Sequence, residues 1–316
     1  MCAEKRSVEV TAYAKVNLFL DVLRRREDGY HDIRSILVPV SLGDRIRIEN
    51  AESGIETIMD GPGAVPCEGM AIGGSDNNLA TKAGRLLKEK TGYPGGARIY
   101  LEKYVPVGGG LGGGSADAAA VLAGLNELWE TGLSLEQLLA MAIRLGSDVP
   151  ALLRGGAVCV EGMGEKVSPV FDCGQRPRAE WWLVLANPGF GVSTGDIYSR
   201  HVSSLTSRET QFTNMLTALR EGDVAKAGPI LFNALETTVF RKYPLLEMLV
   251  EHLRGCEAEG ALLSGSGATV FALARDQAHA ESIVERIRRL TGPWLWTAVV
   301  RTLPDGVIGS TRPFGG

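Results

Sequence analysis

The chain has 316 residues, 45% hydrophobic and 22% charged, with a net charge of −4. That length is long for one core and suits two domains, while the charge balance offers no broad basic surface for nucleic acid. No run approaches the ~18 apolar residues of a membrane span, and no N-terminal apolar signal stretch or Arg/Ser-rich presequence is visible, so the expected setting is the cytoplasm, with neither nucleic acid nor membrane as partner.

Residues 8–14 and 16–23 alternate or run apolar and predict strands, with Asp28-Gly29 as the turn before Ile33. The pattern continues over 36–40 and 45–49, with Gly43-Asp44 as a turn between them. Residues 50–75, rich in Gly, Pro and Glu, predict a loop or short hairpin. Asn78 precedes a helix whose apolar stripe is Leu79, Ala83, Leu86 and Leu87, and Gly92-Tyr93-Pro94-Gly95-Gly96 ends it. A strand over 97–105 enters a glycine-rich loop. Ala118, Val121, Leu122, Leu125, Leu128 and Trp129 then mark a helix over 115–129. The next helix opens on the capping box Ser134-x-x-Gln137, buries Leu138, Leu139, Met141, Ala142 and Leu145, and stops at Gly146. A strand is expected over 155–160.

The polar, proline-containing Gln175-Arg176-Pro177-Arg178 marks the expected boundary between a nucleotide-binding domain, 1–175, and a second domain, 180–303. In the second, 182–186 reads as a strand ending in Asn187-Pro188-Gly189, and 205–256 as helices with polar gaps. Residues 261–263 and 269–274 pair around Gly265-Ser266-Gly267, 278–290 is a helix and 294–301 a closing strand. Residues 304–316 read as a loose tail. The five cysteines, Cys2, Cys67, Cys159, Cys173 and Cys256, form no CxxC pair or zinc pattern and fit reduced thiols. Arg24-Arg25-Arg26 makes at most a local anion site on solvated surface.

Pro106-Val107-Gly108-Gly109-Gly110-Leu111-Gly112-Gly113-Gly114-Ser115 is the most informative segment. With so little side chain between a strand and a helix, backbone N–H groups face a ligand at close range. The helix adds its unpaired N–H groups and positive dipole end, an arrangement suited to a polyphosphate. No Lys-Ser or Lys-Thr follows, so it is not a Walker A loop. Gly108-x-Gly110-x-x-Gly113 has the dinucleotide spacing, but Asn126-Glu127-Leu128-Trp129-Glu130 reads as a helix end where that fold closes a second strand with an acid. Ser115 caps the helix, or adds a hydroxyl beside phosphate or Mg²⁺, and Asp117 suits the helix's positive end.

Three further stretches join this loop: Ala14-Lys15-Val16-Asn17-Leu18, Gly146-Ser147-Asp148-Val149-Pro150 and Leu263-Ser264-Gly265-Ser266-Gly267. In that order the four resemble the GHMP superfamily, the small-molecule kinases of galactose, homoserine, mevalonate and phosphomevalonate. Asp28-Gly29-Tyr30-His31, Gly43-Asp44, Asn187-Pro188-Gly189 and Ser193-Thr194 narrow the resemblance to its 4-diphosphocytidyl-2-C-methyl-D-erythritol kinase family. The similarity runs from about residue 8 to residue 275. It implies a two-domain α+β fold: a ribosomal-protein-like nucleotide domain, a ferredoxin-like C-terminal domain and an active site in the cleft. It also implies transfer of the ATP γ-phosphate to the 2-hydroxyl of a cytidine-diphosphate-linked methylerythritol, in the non-mevalonate route to isoprenoid precursors, by a monomer or weak dimer.

The residues support that chemistry. Asp148 can accept the hydroxyl proton or hold it in line, and Lys15 keeps it ionised and offsets phosphoryl charge; otherwise Asp148 is a helix N-cap and Lys15 a solvated strand residue. Asn17 can orient substrate. Tyr30-His31 pairs a ring that can stack on a pyrimidine with an imidazole that can bond its edge. By resemblance, Tyr30 and Tyr198 flank the cytosine, His31 reads it and Thr194 meets the diphosphate or methylerythritol. The resemblance also implies that Asn78 and Lys103 lie near the adenine, and that Pro106, Gly108, Gly109, Gly110, Leu111, Gly112, Gly113, Gly114 and Ser115 hold ATP. No carboxylate cluster marks a protein-held metal, so Mg²⁺ arrives on ATP. Two departures stand out: Ala151-Leu152-Leu153 follows Pro150 where the family often carries phenylalanine, and Gly195-Asp196 after Thr194 is less apolar than expected. The competing readings are another kinase of the superfamily, acting on homoserine or a mevalonate-like alcohol, and a non-catalytic ligand sensor.

Overall fold

The computed structural model describes residues 7–64, 77–171, 179–202, 207–303 and 312–313. The two longest elements are β1 (Ser7–Arg25) and β2 (His31–Ala51), which pair antiparallel along their length. Each is continuous where the sequence predicts two shorter strands. Gly43-Asp44 makes no turn: Gly43 pairs with Tyr13 and Asp44 with Ala12. The irregularity is taken up by register shifts between Tyr13 and Lys15 and between Asn17 and Phe19. Bulges re-aim side chains beside sites, and these two flank Lys15 and Asn17.

β3 (Ile55–Asp60) is a strand inside the segment read as a loop or short hairpin, and α1 (Leu79–Thr91) follows on its Asn78 cap. β4 (Gly96–Glu102) pairs antiparallel with β2 and parallel with β3. α2 (Gly113–Leu128), α3 (Leu135–Ala142) and α4 (Val149–Arg154) come next, and α3 carries the predicted capping box. β5 (Val158–Gly162) pairs with β2, and β6 (Lys166–Pro169) with β5. α2 lies on the large sheet through an alanine-rich face, with Ala118, Val121, Leu122 and Leu125 buried against Val10, Ile46, Ile48 and Ile99. Ala and Gly on that face let helix and sheet approach closely.

β7 (Trp182–Asn187) opens a second sheet. α5 (Thr194–Arg200), α6 (Glu209–Glu221), α7 (Val224–Ala227), the short β8 (Phe232–Asn233), α8 (Glu236–Lys242) and α9 (Pro244–Gly255) fill the stretch read as helices with polar gaps. β9 (Gly260–Leu263), β10 (Val270–Ala274), α10 (Gln277–Thr291) and β11 (Trp296–Arg301) complete it, giving the antiparallel order β11-β7-β10-β9. The sheets share a core in which Val16, Phe19 and Ile36 pack with Leu183, Leu185, Phe271 and Leu273. β12 (Arg312–Pro313) pairs with Val8 and Glu9 of β1. The expected boundary at 175–178 and the rest of the 304–316 tail lie outside the described residues.

Candidate active site

The glycine loop is held by its carbonyls. Gly108 O accepts from Val192 N (3.3 Å), Gly109 O from Thr269 N (2.9 Å), Gly110 O from Ser264 Oγ (3.1 Å) and Leu111 O from Lys15 N (2.9 Å). Four successive carbonyls face the protein body. The first-turn N–H groups of α2 have no intrahelical acceptor and lie at the cavity lined by residues 106–115. Two glycines are required by contact as well as by φ. A Cβ on Gly110 (φ +76°) would stand 2.2 Å from Ser264 O, and one on Gly112 (φ +69°) 3.0 Å from Lys15 Cγ. Gly112 is the helix N-cap, so Ser115 sits inside the first turn rather than capping it. The expected cap is displaced because the helix starts two residues earlier.

Lys15 and Asp148 meet in the middle of the cavity, Nζ to Oδ2 3.4 Å, with Lys15 buried and Asp148 partly open. Asp148 occupies the N-cap position of α4 but makes no side-chain cap hydrogen bond, which leaves its carboxylate to the cavity. Lys15 Nζ donates to Asn17 Oδ1 (2.6 Å), Asn17 Nδ2 to Ser35 Oγ (2.9 Å), and Ser35 Oγ to Phe19 O (2.7 Å). Asn17, expected to orient substrate, lines the cavity and also links the Lys15 amine to Ser35, a residue unread in the sequence.

At the other end, Gly29 (φ +86°) turns the chain and Asp28 Oδ1 accepts from Tyr30 N (3.1 Å), leaving Tyr30 61% exposed on the cavity rim. His31 is buried, its ring 5.4 Å from that of Tyr198. Burial, then the Arg25 charge, holds His31 below the usual imidazole pKa. Burial and the charge of Asp148 raise the Tyr198 phenol. Thr194 Oγ1 shares a 2.8 Å hydrogen bond with Ser266 Oγ. Asp196 turns outward to Arg200 and Lys242 (2.8 and 2.9 Å), so the polar departure after Thr194 is satisfied at the surface. Of the basic run, Arg24 and Arg26 pair with Asp32 (2.6 and 3.2 Å), whereas Arg25 lines the cavity with no carboxylate partner among the described residues.

Asn78 both caps α1, accepting from Ala80 N (2.8 Å), and lines the cavity. Lys103 lines it too, but its ammonium is not free for a base: it is buried between Asp44 and Asp117. Burial opposes its charge, but Asp117 and Asp44 outweigh burial and raise its pKa. Burial pushes Asp117 up to about 7 against the pull of Lys103. Among the described residues no group of three or more His, Cys, Asp or Glu side chains could hold a metal ion, and no helix is long and apolar enough to cross a membrane.

One cavity of about 840 Å³ therefore joins the glycine loop, the Lys15–Asp148 pair and the Tyr30–His31–Tyr198 cluster, within the range of small-molecule sites. Residues 78–156 match the GHMP kinases N terminal domain and 215–291 the GHMP kinases C terminal domain. The chain is 43% identical over 298 residues to the 4-diphosphocytidyl-2-C-methyl-D-erythritol kinase of Symbiobacterium thermophilum, covering 94% of this chain and 100% of that one. It is 39% identical to the enzyme of the same name from Pelotomaculum thermopropionicum, over 89% and 94% of the two chains. A crystal structure of 4-(cytidine 5'-diphospho)-2C-methyl-D-erythritol kinase superposes with a TM-score of 0.72 at 34% identity, over 92% and 98% of the chains. Homoserine kinase from Cytophaga hutchinsonii, at 19% identity and a TM-score of 0.73 over 96% of both chains, shares the fold. The chain belongs to the 4-diphosphocytidyl-2-C-methyl-D-erythritol kinase family of the GHMP kinases.

Proposed function

We propose that this chain transfers the γ-phosphate of Mg-ATP to the 2-hydroxyl of 4-diphosphocytidyl-2-C-methyl-D-erythritol, in the non-mevalonate isoprenoid precursor route. The supporting observation is a single cavity with a polyphosphate cradle at one end, a base-stacking cluster at the other and a carboxylate–ammonium pair between them. The loop amides and the N-terminus of α2 take the ATP phosphates, and Asn78 borders the adenine. Tyr30 and Tyr198 flank the cytosine, and a neutral His31 bonds its polar edge. Thr194 and Arg25, which has no carboxylate partner among the described residues, meet the diphosphate.

Asp148 accepts the hydroxyl proton as the oxygen bonds to the γ-phosphorus, and the bond from that phosphorus to the β–γ bridging oxygen breaks, releasing ADP. Lys15, fixed by Asn17 and Ser35, keeps Asp148 ionised and offsets charge on the phosphoryl oxygens. Mg²⁺ would arrive on ATP, with the Ser115 hydroxyl in the cavity lining available to it, and would neutralise phosphate charge there. In this reading the chain works in the cytoplasm as a monomer or weak dimer, with the lining residues of the cavity supplied by this chain.

ADP release from Mg-ATP, compared for cytidine-diphosphate methylerythritol, homoserine and mevalonate, tests the reading. Turnover with the cytidine substrate alone, lost in Asp148→Asn, is expected. Turnover with another alcohol would overturn the role of Tyr30 and His31, and ATP binding with no turnover would favour a sensor.

A further inference from the structure

Asp44, Lys103 and Asp117 form a charged cluster that phosphoryl transfer does not use. All three side chains are at most 4% exposed, and they come from β2, the segment after β4 and α2. Lys103 Nζ donates to Asp117 Oδ2 (2.7 Å) and to Asp44 Oδ2. The other oxygen of Asp44 accepts from Tyr104 N (2.6 Å) and Val105 N (2.8 Å), the last two amides before the glycine loop begins at Pro106. Asp117 lies in α2, immediately beyond the loop's other end. One ammonium therefore ties together both stems of the loop. It sits directly beneath the loop: a Cβ on Gly113 would stand 3.4 Å from Lys103 Nζ. The second oxygen of Asp117 is buried without a hydrogen-bond partner among the described residues, and Asp117 and Lys103 both line the cavity.

Three buried charges are costly, and apolar side chains of similar volume often hold a core as well or better. Apolar packing, however, does not set a distance between two stems as charge-assisted hydrogen bonds to one ammonium do. The loop's amides act only when aimed, and a displacement of about 1 Å costs on the order of 10²-fold in a positioned reaction. We propose that the Asp44–Lys103–Asp117 triad is a positioning device for the nucleotide, fixing the two stems of the glycine loop at the spacing that the phosphates of ATP require. The proposal rests on the loop being the ATP cradle. It makes Lys103 a residue that acts through its two carboxylates rather than one that reads adenine.

Asp117→Ala is the direct test, because it frees α2 from the stem while leaving a neutral Lys103–Asp44 pair. Thermal unfolding, the Kd of a non-hydrolysable ATP analogue by calorimetry, and the separate KM values for ATP and the cytidine-diphosphate substrate would be measured. Expected is a folded variant whose ATP-analogue Kd and ATP KM rise about tenfold or more, with the substrate KM within about twofold. Asp117→Asn, which keeps an oxygen for Lys103, is expected to restore most of the ATP affinity. Unchanged analogue binding in folded Asp117→Ala would overturn the proposal. So would equal weakening of both ligands that tracks a loss of thermal stability, the mark of a merely structural cluster. If Asp117→Ala does not fold, Lys103→Met/Asp117→Leu, which removes one charge of each sign, is read against the same criteria. The analogue titration needs no turnover, so it stands even if the alcohol acceptor is a different one.

Discussion

The two ends of the cavity are built from different materials. At the nucleotide end the ligand-facing groups are main-chain amides, held because the loop's carbonyls are tied to Val192, Thr269, Ser264 and Lys15 and because its stems meet at a buried ammonium. At the proposed nucleoside end they are side chains around a tight turn between β1 and β2 and on a short helix, Tyr30 and Arg25 exposed and the rings of His31 and Tyr198 tilted at 45° to each other. A backbone site is rigid and indifferent to side-chain identity, except where a Cβ would collide. A side-chain site is adjustable, and it alone can tell one acceptor alcohol from another. On the proposed reading, common ATP chemistry at one end and acceptor choice at the other follow from that division.

The junction between them carries the largest expected effect. Asp148→Asn keeps the volume and the position at the start of α4 but cannot take a proton. Single-turnover kinetics should show kcat lower by about 10³, with both KM values near parent. A retained kcat would mean that the pair orients the hydroxyl and nothing more. Gly110→Ala breaks the nucleotide end by its backbone. The new Cβ meets Ser264 O at 2.2 Å at φ +76°, so stability should fall by more than about 1 kcal/mol, with kcat/KM for ATP down by about 10². Tyr30→Ala attacks the other end. Because Tyr30 is exposed, thermal stability should hold within about 0.5 kcal/mol. The substrate KM should rise by about tenfold, the order of one lost base stack, and the ATP KM should stay put. If Tyr30→Ala weakened ATP as much as substrate, the two ends would not be separable.

The difference in materials also explains what the sequence could tell. The cradle is a contiguous glycine-rich segment between a strand and a helix, so its chemistry is readable in ten letters. Lys15, Asn17 and Asp148 sit in short motifs, and their presence is legible although the division of labour is not. Only the hydrogen bonds to Lys15 and Ser35 reveal Asn17 as a relay. The triad was invisible for a topological reason. Asp44 reads as a turn residue after Gly43, and Asp117 as a helix-dipole partner, until the antiparallel register of β2 with β4 brings residue 44 beside residue 103. The one signal present was an acid set within two long apolar strands, which argues for a buried partner if the strands are recognised as continuous. The bulges between Tyr13 and Lys15 and between Asn17 and Phe19 hid that continuity.

Arg25 and His31 give the smallest and most discriminating test of the nucleoside end. They face each other across the β1–β2 pairing, and the guanidinium is the second cause, after burial, that lowers the imidazole pKa from its ordinary 6.5. At neutral pH His31 is therefore uncharged, able to accept on one ring nitrogen and donate on the other. The lowered value means that protonation begins only as pH falls below the usual imidazole range. The substrate KM should accordingly be flat above that range and rise at more acidic pH, while the ATP KM shows no such step. Arg25→Ala removes one of the two causes, so the step should move upward in pH but stay below the ordinary imidazole value, because burial remains. The same variant removes a cation that lines the cavity, so the substrate KM at neutral pH should rise a few-fold, with a weaker dependence on salt than the parent. A proton NMR titration of the His31 ring in parent and variant reads the shift directly. An unmoved His31 with a raised KM would leave Arg25 as an anion contact alone. A moved His31 with unchanged KM would mean that the guanidinium faces solvent and not the diphosphate.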